Sequence, residues 1–368
     1  MTLLDVHTHI GASDPDGFRS SPSALLDALE RAAARAVVFP MHEPDGYPAA
    51  NDRVIESATE SGGRLIPFCR VDPANGAARE AERALGAGAR GIKLHPRAEG
   101  FVLSDARVAE IVALAAERRV PTIVHAGRGI PALGRDALEL AERFSSANLI
   151  LAHAGISDLA WIWRHVAGLP NLLFDTTWWN PVDLLALFAL VPPGQIVYGS
   201  DAPYGTPVQA AILTLRCALQ SGLAGEQIRA VMGEQATRLL DGEPPLDLGP
   251  PPGPARLDAD LLLERAFVQL SMASARLLHG ESATQELALA RLACEVGEGA
   301  PQAAVCRSIL ALLDRAEHDP GDRDARRPQA PGTHLLVTAT GVAKTPAVAL
   351  PADPEPVNVG RREPGPAR

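Results

Sequence analysis

Two histidines one residue apart, His7 and His9, interrupt an apolar run near the start of the chain, LLDVHTHIG. Imidazole side chains bind divalent metals and act as general acids and bases near neutral pH. Residues i and i+2 of a β-strand point to the same face, so the two imidazoles would lie side by side, with Val6 and Thr8 on the opposite face. The pair therefore predicts a polar site at the end of a buried strand.

The same pattern recurs along the chain. Lys93 and His95 share the i, i+2 spacing in the run RGIKLHPR, and three later apolar runs end in His125, His153 and Asp201. Polar groups are costly to bury without partners. A shared site at which these side chains meet would supply those partners.

A divalent cation is a partner that several imidazoles and a carboxylate can share. We expect His7, His9, His125 and Asp201 to converge on such an ion and to leave one ligand position open for water. Zinc suits nitrogen and carboxylate ligands, and manganese or iron would suit the same set.

The elements that carry these residues alternate in type from the start of the chain to about residue 240. Eight short apolar runs, each followed by a segment with helical spacing, are LLDVHTHIG, AVVFPMHEP, RLIPFCRVDP, RGIKLHPR, PTIVHAG, NLILAHAG, NLLFDTTWW and QIVYGSDAPYG. Eight such units predict an α/β fold, a (β/α)8 TIM barrel, whose active sites lie at the carboxyl ends of the strands. An open doubly wound sheet is the alternative, but the first run lacks the Gly-rich phosphate turn typical of that fold.

Composition changes beyond the predicted barrel, which spans residues 1–240. Residues 241–258 are rich in Pro and Gly and indicate a linker, and residues 259–318 have the apolar spacing of two or three helices. Residues 319–368 are predicted to be mostly disordered, with the apolar patch THLLVTATGV as a short strand. The chain is thus expected to have a C-terminal helical extension and a disordered tail.

Bulk properties exclude some partners. The 368 residues are 46% hydrophobic and 21% charged, with a formal net charge of −10, which argues against nucleic acid or an anionic membrane as the main partner. No apolar stretch is long enough for a membrane span. The four cysteines form no C-x-x-C pair and polar residues interrupt any secretory signal, so we expect a cytoplasmic protein.

The motifs DVHTHIG, GIKLHP, VHAG, LAHAG and YGSDAPYG, followed by AVMGEQATRLL, resemble the amidohydrolase superfamily over residues 1–240. More narrowly, they resemble the amidohydrolase-related branch of TIM-barrel metal-dependent hydrolases, which includes decarboxylases. The resemblance implies that His7, His9, His125 and Asp201 are metal ligands. It also implies that His153 orients the attacking water or polarises the substrate. One departure is EQAT, residues 234–237, where the family commonly has an Asn-Ala pair, and this difference bears on packing more than on chemistry.

The resemblance leaves the number of metal ions at one or two. In binuclear members the strand-four lysine can be carboxylated and bridge two ions, and the strand-six histidine binds the second; Lys93 and His153 match these positions. Lys93 or His95 could instead hold an anionic group of the substrate. Two residues just beyond the ligands, Arg128 and Tyr204, are candidate substrate contacts.

The expected function is hydrolysis of a C–N or C–O bond in a small carbonyl substrate. Asp201 would take a proton from the attacking water and pass it to the leaving group, while His153 stabilises the oxyanion. The alternative is a metal-dependent nonoxidative decarboxylase of a small aromatic or unsaturated acid. A second alternative is a non-catalytic binding or assembly barrel, whose extension pairs it into a homo-oligomer.

Overall fold

The computed structural model describes residues 3–127, 130, 133–319 and 332–350. Its strands are β1 (Leu3–Ile10), β2 (Ala34–Pro40), β3 (Leu65–Pro67), β4 (Cys69–Arg70), β5 (Ile92–Leu94), β6 (Thr122–Val124), β7 (Leu149–Leu151), β8 (Leu172–Asp175) and β9 (Ile196–Val197). Its α-helices are α1 (Pro22–Arg31), α2 (Pro48–Glu60), α3 (Ala77–Gly86), α4 (Pro96–Glu99), α5 (Ala106–Arg118), α6 (Leu133–Arg143), α7 (Leu159–Val166), α8 (Pro181–Leu190), α9 (Pro207–Gln220), α10 (Gly225–Arg229), α11 (Gln235–Leu240), α12 (Leu261–Leu278), α13 (Thr284–Ala293), α14 (Ala303–Glu317) and α15 (Thr333–Lys344). Among the helices of these ranges, none has the length and apolarity to cross a membrane.

The strands form a closed parallel barrel. They pair in chain order, β1 to β3 and β4 to β9, and β3 and β4 are one strand interrupted at Phe68. The ends of the series meet where the Val6 N–H donates to the Tyr198 carbonyl at 2.9 Å and the Asp201 N–H donates to the His7 carbonyl at 2.9 Å. The (β/α)8 prediction is confirmed.

Inside the barrel, apolar side chains fill the part away from the carboxyl ends of the strands. The interior cluster includes Leu4, Val6, Val37, Phe39, Ile66, Phe68, Ile123, Ile150, Leu173 and Val197. A larger cluster fills the space between strands and surrounding helices. The polar residues therefore lie above a dry apolar core, at the end where barrel enzymes carry their sites.

Strand β1 departs from the simple alternation that the sequence predicts. Its register with β2 shifts between Asp5 and Thr8. Val6 packs in the same interior cluster as Phe39, and the rings of His7 and His9 also lie 5.1 and 4.5 Å from the Phe39 ring. The expectation that Val6 faces away from the histidines is wrong because the irregularity re-aims the strand, as a β-bulge does.

Side-chain caps fix where the helices begin. Ser21, Asn180 and Thr206 each accept a hydrogen bond from a backbone N–H of the following turn, and each is followed by proline at the first helical position. Both features favour a helix start. For α8 and α9, they set the length of the loops that follow β8 and β9.

The EQAT departure lies where a short π-helical stretch, residues 230–234, meets α11. Gln235 is fully buried, and its side-chain amide donates to the Gly194 carbonyl and accepts from the Leu246 N–H. This residue therefore joins the segment after α11 to the barrel.

Helices α12 to α15 pack around a core of their own, which includes Leu263, Leu270, Ile309, Leu313 and Leu336. The patch THLLVTATGV forms helix α15 rather than the expected short strand, because its apolar residues pack against α12 and α14. Residues 320–331 and 351–368 lie outside the described ranges, so the predicted disorder of the tail stays a prediction. The predicted domain boundaries at residues 240, 258 and 318 also stay predictions.

A close approach inside the barrel gives a test of the fold. A Cβ atom on Gly91 would lie 2.3 Å from the ring of Phe68, which is buried in the interior cluster. We expect Gly91→Ala to lower the free energy of unfolding by about 1–3 kcal/mol through overpacking. Urea unfolding measures this, with Gly299→Ala, where nothing lies within 4 Å of the added atom, as the control. Equal stability of the two variants would contradict the packing described.

Candidate active site

Three of the predicted ligands come together at the carboxyl end of the barrel. His7 and His9 lie in β1, and Asp201 follows β9. One ligand atom from each lies within 4.8 Å of the others. Asp201 Oδ1 is 3.3 Å from His7 Nε2 and 3.1 Å from His9 Nε2. Two imidazoles and a carboxylate at this spacing form a donor set suited to a divalent cation.

Asp175, at the end of β8, orients His7. Its Oδ2 lies 2.7 Å from His7 Nδ1, and both side chains are essentially inaccessible to solvent. A carboxylate at Nδ1 fixes that nitrogen as the donor and leaves the Nε2 lone pair directed at the site. Sequence patterns do not indicate this contact, because its two partners are 168 residues apart in the chain.

His153 is held by the neighbouring strand. Its backbone N–H donates to Asp175 Oδ1 at 2.9 Å and to Thr177 Oγ1 at 3.0 Å, and its Nδ1 lies 2.8 Å from the Thr177 carbonyl. Since a carbonyl oxygen accepts, Nδ1 carries the proton. In the neutral ring Nε2 is then an acceptor.

This tautomer determines the state of His125. His153 Nε2 lies 2.9 Å from His125 Nδ1, and with a neutral His153 ring it is His125 Nδ1 that donates. The remaining His125 nitrogen, Nε2, is buried and has no hydrogen-bond partner among the described residues. It thus presents a bare lone pair, as a metal ligand requires, although His125 is not part of the close group of His7, His9 and Asp201.

His95 supports His125 from the other side. The two rings are stacked with centroids 3.8 Å apart and an interplanar angle of 11°. His95 Nδ1 accepts the Ala98 N–H at 3.1 Å and so caps α4. His95 lies beside the predicted ligands rather than in the close group.

Lys93 projects into the buried centre of the site. Its Nζ lies 3.2 Å from His7 Nε2 and 4.7 Å from the centre of the Phe39 ring. Burial lowers the pKa of Lys93 to about 7, against the opposing influence of Asp175 and Asp201. A lysine in this setting is poised between its neutral and charged forms.

Burial also shifts the other groups of the site. It raises the pKa of Asp201 to about 6 and lowers the pKa values of His7, His9, His95 and His125. Desolvation disfavours each charged form. The imidazoles are therefore neutral, the form in which a histidine binds a metal.

The backbone at two site residues lies in the left-handed region. His153 has φ of 57° and Asp201 has φ of 60°. Non-glycine residues in this region are uncommon and concentrate at functional sites. The backbone before Asp201 is also closely packed. A Cβ on Gly199 would lie 2.6 Å from Thr177 Cγ2 and 3.1 Å from His7 Cβ.

A cavity of about 610 Å³ opens over the site and can accommodate a small molecule. It is lined by Arg97, His125, Gly127, His153, Thr177, Trp178, Trp179, Ser200, Asp201, Tyr204, Gly205, Thr206, Gln209, Ala210 and Leu213. Tyr204 lines the cavity, with its hydroxyl bonded to Asp14 and its ring 5.4 Å from that of His9, and its role as a substrate contact stays a prediction. Arg128 lies outside the described residues.

A buried ion pair beside the site was missed by the sequence argument. Arg70 Nη2 lies 2.6 Å from Glu99 Oε1, and both side chains are less than 5% exposed. The Tyr47 hydroxyl donates to the same oxygen at 2.6 Å. These residues join the loop after β2, the end of β4 and helix α4, which follows β5. The signal available was an arginine inside the apolar run RLIPFCRVDP.

The chain belongs to the amidohydrolase family, whose model matches residues 4–242. It is therefore an enzyme of this superfamily, which acts on small molecules and is generally metal-dependent. No curated protein matches the chain.

Solved structures share the barrel. An uncharacterized TIM-barrel protein from Bordetella bronchiseptica is 15% identical with a TM-score of 0.54, and the match covers 66% of this chain and 99% of that one. An amidohydrolase from Burkholderia multivorans is 18% identical with a TM-score of 0.53, covering 66% and 99%. A 5-carboxyvanillate decarboxylase from Sphingomonas paucimobilis is 14% identical with a TM-score of 0.51, covering 65% and 99%. At these identities the likeness shows the fold alone.

The Arg70–Glu99 pair predicts a stability effect. We expect Glu99→Ala to lower the free energy of unfolding by about 3–5 kcal/mol, because it leaves the Arg70 guanidinium buried without its counter-charge. The double variant Arg70→Met/Glu99→Leu should cost much less than Glu99→Ala. Urea unfolding measures both, with Glu82→Ala in the exposed Arg118–Glu82 pair as the control, expected within about 1 kcal/mol of the parent. A loss for Glu99→Ala no larger than the control's would contradict the prediction.

Proposed function

We propose that this protein is a metal-dependent hydrolase acting on a C–N or C–O bond of a small carbonyl substrate. The observation that carries the proposal is the convergence of His7, His9 and Asp201 beneath the cavity. The bare lone pair of His125 Nε2 supports a fourth ligand from the neighbouring strand. Zinc is the first choice for this donor set, and manganese or iron is the alternative.

When bound, such a cation supplies Lewis acidity, which polarises a carbonyl group and lowers the pKa of water toward 7. Asp201 would act as the general base. Its Oδ1 lies between His7 and His9, so Oδ2 is the oxygen to accept a proton from the attacking water and return it to the leaving group.

His153 would stabilise the oxyanion, and its present contacts define what this requires. Both ring nitrogens are engaged, Nδ1 with the Thr177 carbonyl and Nε2 with His125. For Nε2 to donate to a substrate oxygen, the contact to His125 must open and Nε2 must gain a proton, which makes the ring an imidazolium with Nδ1 still donating to Thr177.

Lys93 determines whether the site holds one ion or two. Its burial and lowered pKa support a neutral amine, the form that can react with carbon dioxide and release a proton to give a carbamate. That carbamate and His153 would be the residues that hold a second ion. With one ion, Lys93 and His95 would instead contribute to substrate binding. The number of ions per chain is measured by the metal analysis described below.

A nonoxidative decarboxylase is the second candidate function, and the cavity wall supports it. Arg97 supplies a cation, and Trp178, Trp179 and Tyr204 supply aromatic surfaces on which a planar acid could stack. Carbon dioxide release from aromatic or unsaturated acids would indicate a decarboxylase. Hydrolysis of amides or esters without such release would indicate a hydrolase.

The partners follow from the same proposal. A small molecule is the substrate, and neither nucleic acid nor a membrane surface is a partner. Association into a homo-oligomer through helices α12 to α15 stays a prediction, which sedimentation velocity on the full chain would test.

Metal content is the first prediction of the proposed function. We expect one or two equivalents of zinc, manganese or iron per gently purified chain by elemental mass spectrometry, and almost none in His7→Ala/His9→Ala, because the variant loses two of three closely spaced donors. The control is His165→Ala/His279→Ala, which removes two exposed histidines and should retain the metal. Absence of metal from the parent, even after incubation with zinc or manganese, would favour the non-catalytic binding barrel.

Asp201→Asn tests the assignment of the base. We expect kcat on a substrate found by screening amides, esters and acids to fall by about 10²–10⁴-fold, since the amide cannot accept the proton. Circular dichroism should show an intact fold, and Asp314→Asn on α14, an exposed carboxylate outside the cavity and the close ligand group, serves as the control. Full turnover by Asp201→Asn would show that another group is the base.

A further inference from the structure

Helix α15, which lies beyond the residues that match the family, packs on the outer face of the barrel against α8 and α9. Those two helices begin directly after the loops that line the cavity. Trp178 and Trp179 precede α8, and Tyr204 precedes α9. The C-terminal extension therefore contacts the supports of the cavity wall.

One residue connects the cavity to α15 directly. Leu213, on α9, lines the cavity and is 3% exposed. On its other side a Cβ built on Gly341 of α15 would lie 2.7 Å from Leu213 Cδ1. Because Gly341 has no side chain, the Leu213 side chain has room to pack against α15. A larger residue at position 341 would push Leu213 toward the cavity.

Arg216, one turn further along α9, fastens the two helices together. Its Nε donates to Thr345 Oγ1 at 2.8 Å, its Nη2 to the Thr345 carbonyl at 3.0 Å and its Nη1 to the Ala349 carbonyl at 3.2 Å. Gln220 Oε1 accepts the Ala347 N–H at 3.1 Å. The contacts run along one side of α9, at positions 213, 216 and 220.

The rest of the extension holds α15 from behind. Lys344 forms an ion pair with Glu264 of α12, and its Nζ lies 5.2 Å from the centre of the Phe267 ring. Leu336 and Val342 are buried in the core that α15 shares with α12 to α14. The position of α15 is therefore set by the extension as a whole.

We propose that the C-terminal extension determines substrate size, because α15 packs against Leu213 and so sets the depth of the cavity on that side. Leu213 and Gly341 are the specificity-determining contact, and Arg216 is a positioning residue. The proposal goes beyond the metal chemistry, since it holds for a hydrolase and for a decarboxylase.

The contact at Gly341 has a structural test. We expect a crystal structure of Gly341→Ala to show Leu213 moved into the cavity, with α15 in its original place. Gly86→Ala, a helical glycine with nothing within 4 Å of the added atom, is the matched control. An unmoved Leu213 with α15 displaced outward would overturn the proposal.

Arg216→Met tests the positioning role in solution. We expect amide hydrogen exchange to rise several-fold in peptides covering residues 200–213, while peptides covering residues 42–51 and 96–103 keep their rates. In the same assay, we expect Gly341→Ala to raise the exchange rate of residues 200–213, because the added methyl group displaces Leu213. The double variant Gly341→Ala/Leu213→Ala removes that clash and should restore the parental rate. A uniform rise across the barrel, or no change at residues 200–213, would refute the proposal. Neither readout requires metal or turnover, so the outcome is independent of the proposed function.

Discussion

The carboxylate of Asp175, buried at the end of β8, is the contact on which the geometry of the site depends. Its Oδ2 receives His7 Nδ1 from the first strand of the barrel, while its Oδ1 receives the backbone N–H groups of His153 and Thr177. One side chain thus sets the ring of a metal-binding candidate and the backbone of a catalytic candidate. Because each bond is formed out of water, loss of one partner would leave a buried polar group unsatisfied, and the arrangement is held as a unit.

Burial explains why so many titratable groups coexist in a small volume. Desolvation keeps His7, His9 and His125 neutral and lowers the pKa of Lys93, so mutual repulsion among four potential cations is relieved. The neutral imidazoles then retain lone pairs, which is the property a metal site needs. The guanidinium charge of Arg70 is matched by Glu99 instead. Burial of titratable groups is therefore compensated in two ways. The groups at the centre of the site lose their charge, and the arginine at its edge is paired with a carboxylate.

The sequence predicted the barrel and most of the candidate site, because both depend on short-range patterns. Alternating strands and helices define the barrel, and polar residues at strand ends fall at one rim whatever the loops do. Three features of the structure have no such signal in the local sequence. The register shift in β1 depends on pairing with β2, and the tautomer of His125 depends on a carbonyl 52 residues away, at Thr177. The patch THLLVTATGV forms helix α15 rather than the expected short strand, because its tertiary contacts override the strand preference of its β-branched residues.

In the proposed enzyme, the barrel supplies the catalytic groups and the C-terminal extension sets the size of the cavity. The candidate ligands and the base all lie within the matched barrel, at strand ends whose positions follow from closure of the sheet. Strand ends leave the outer wall of the cavity to loops and helix starts, which a barrel alone constrains less. The wall formed by α9 receives a second support from α15, through Leu213 and, one turn further along the same side of α9, through the buried guanidinium of Arg216. A change in α15 could therefore alter the shape of the cavity while every ligand and its hydrogen bonds stay in place.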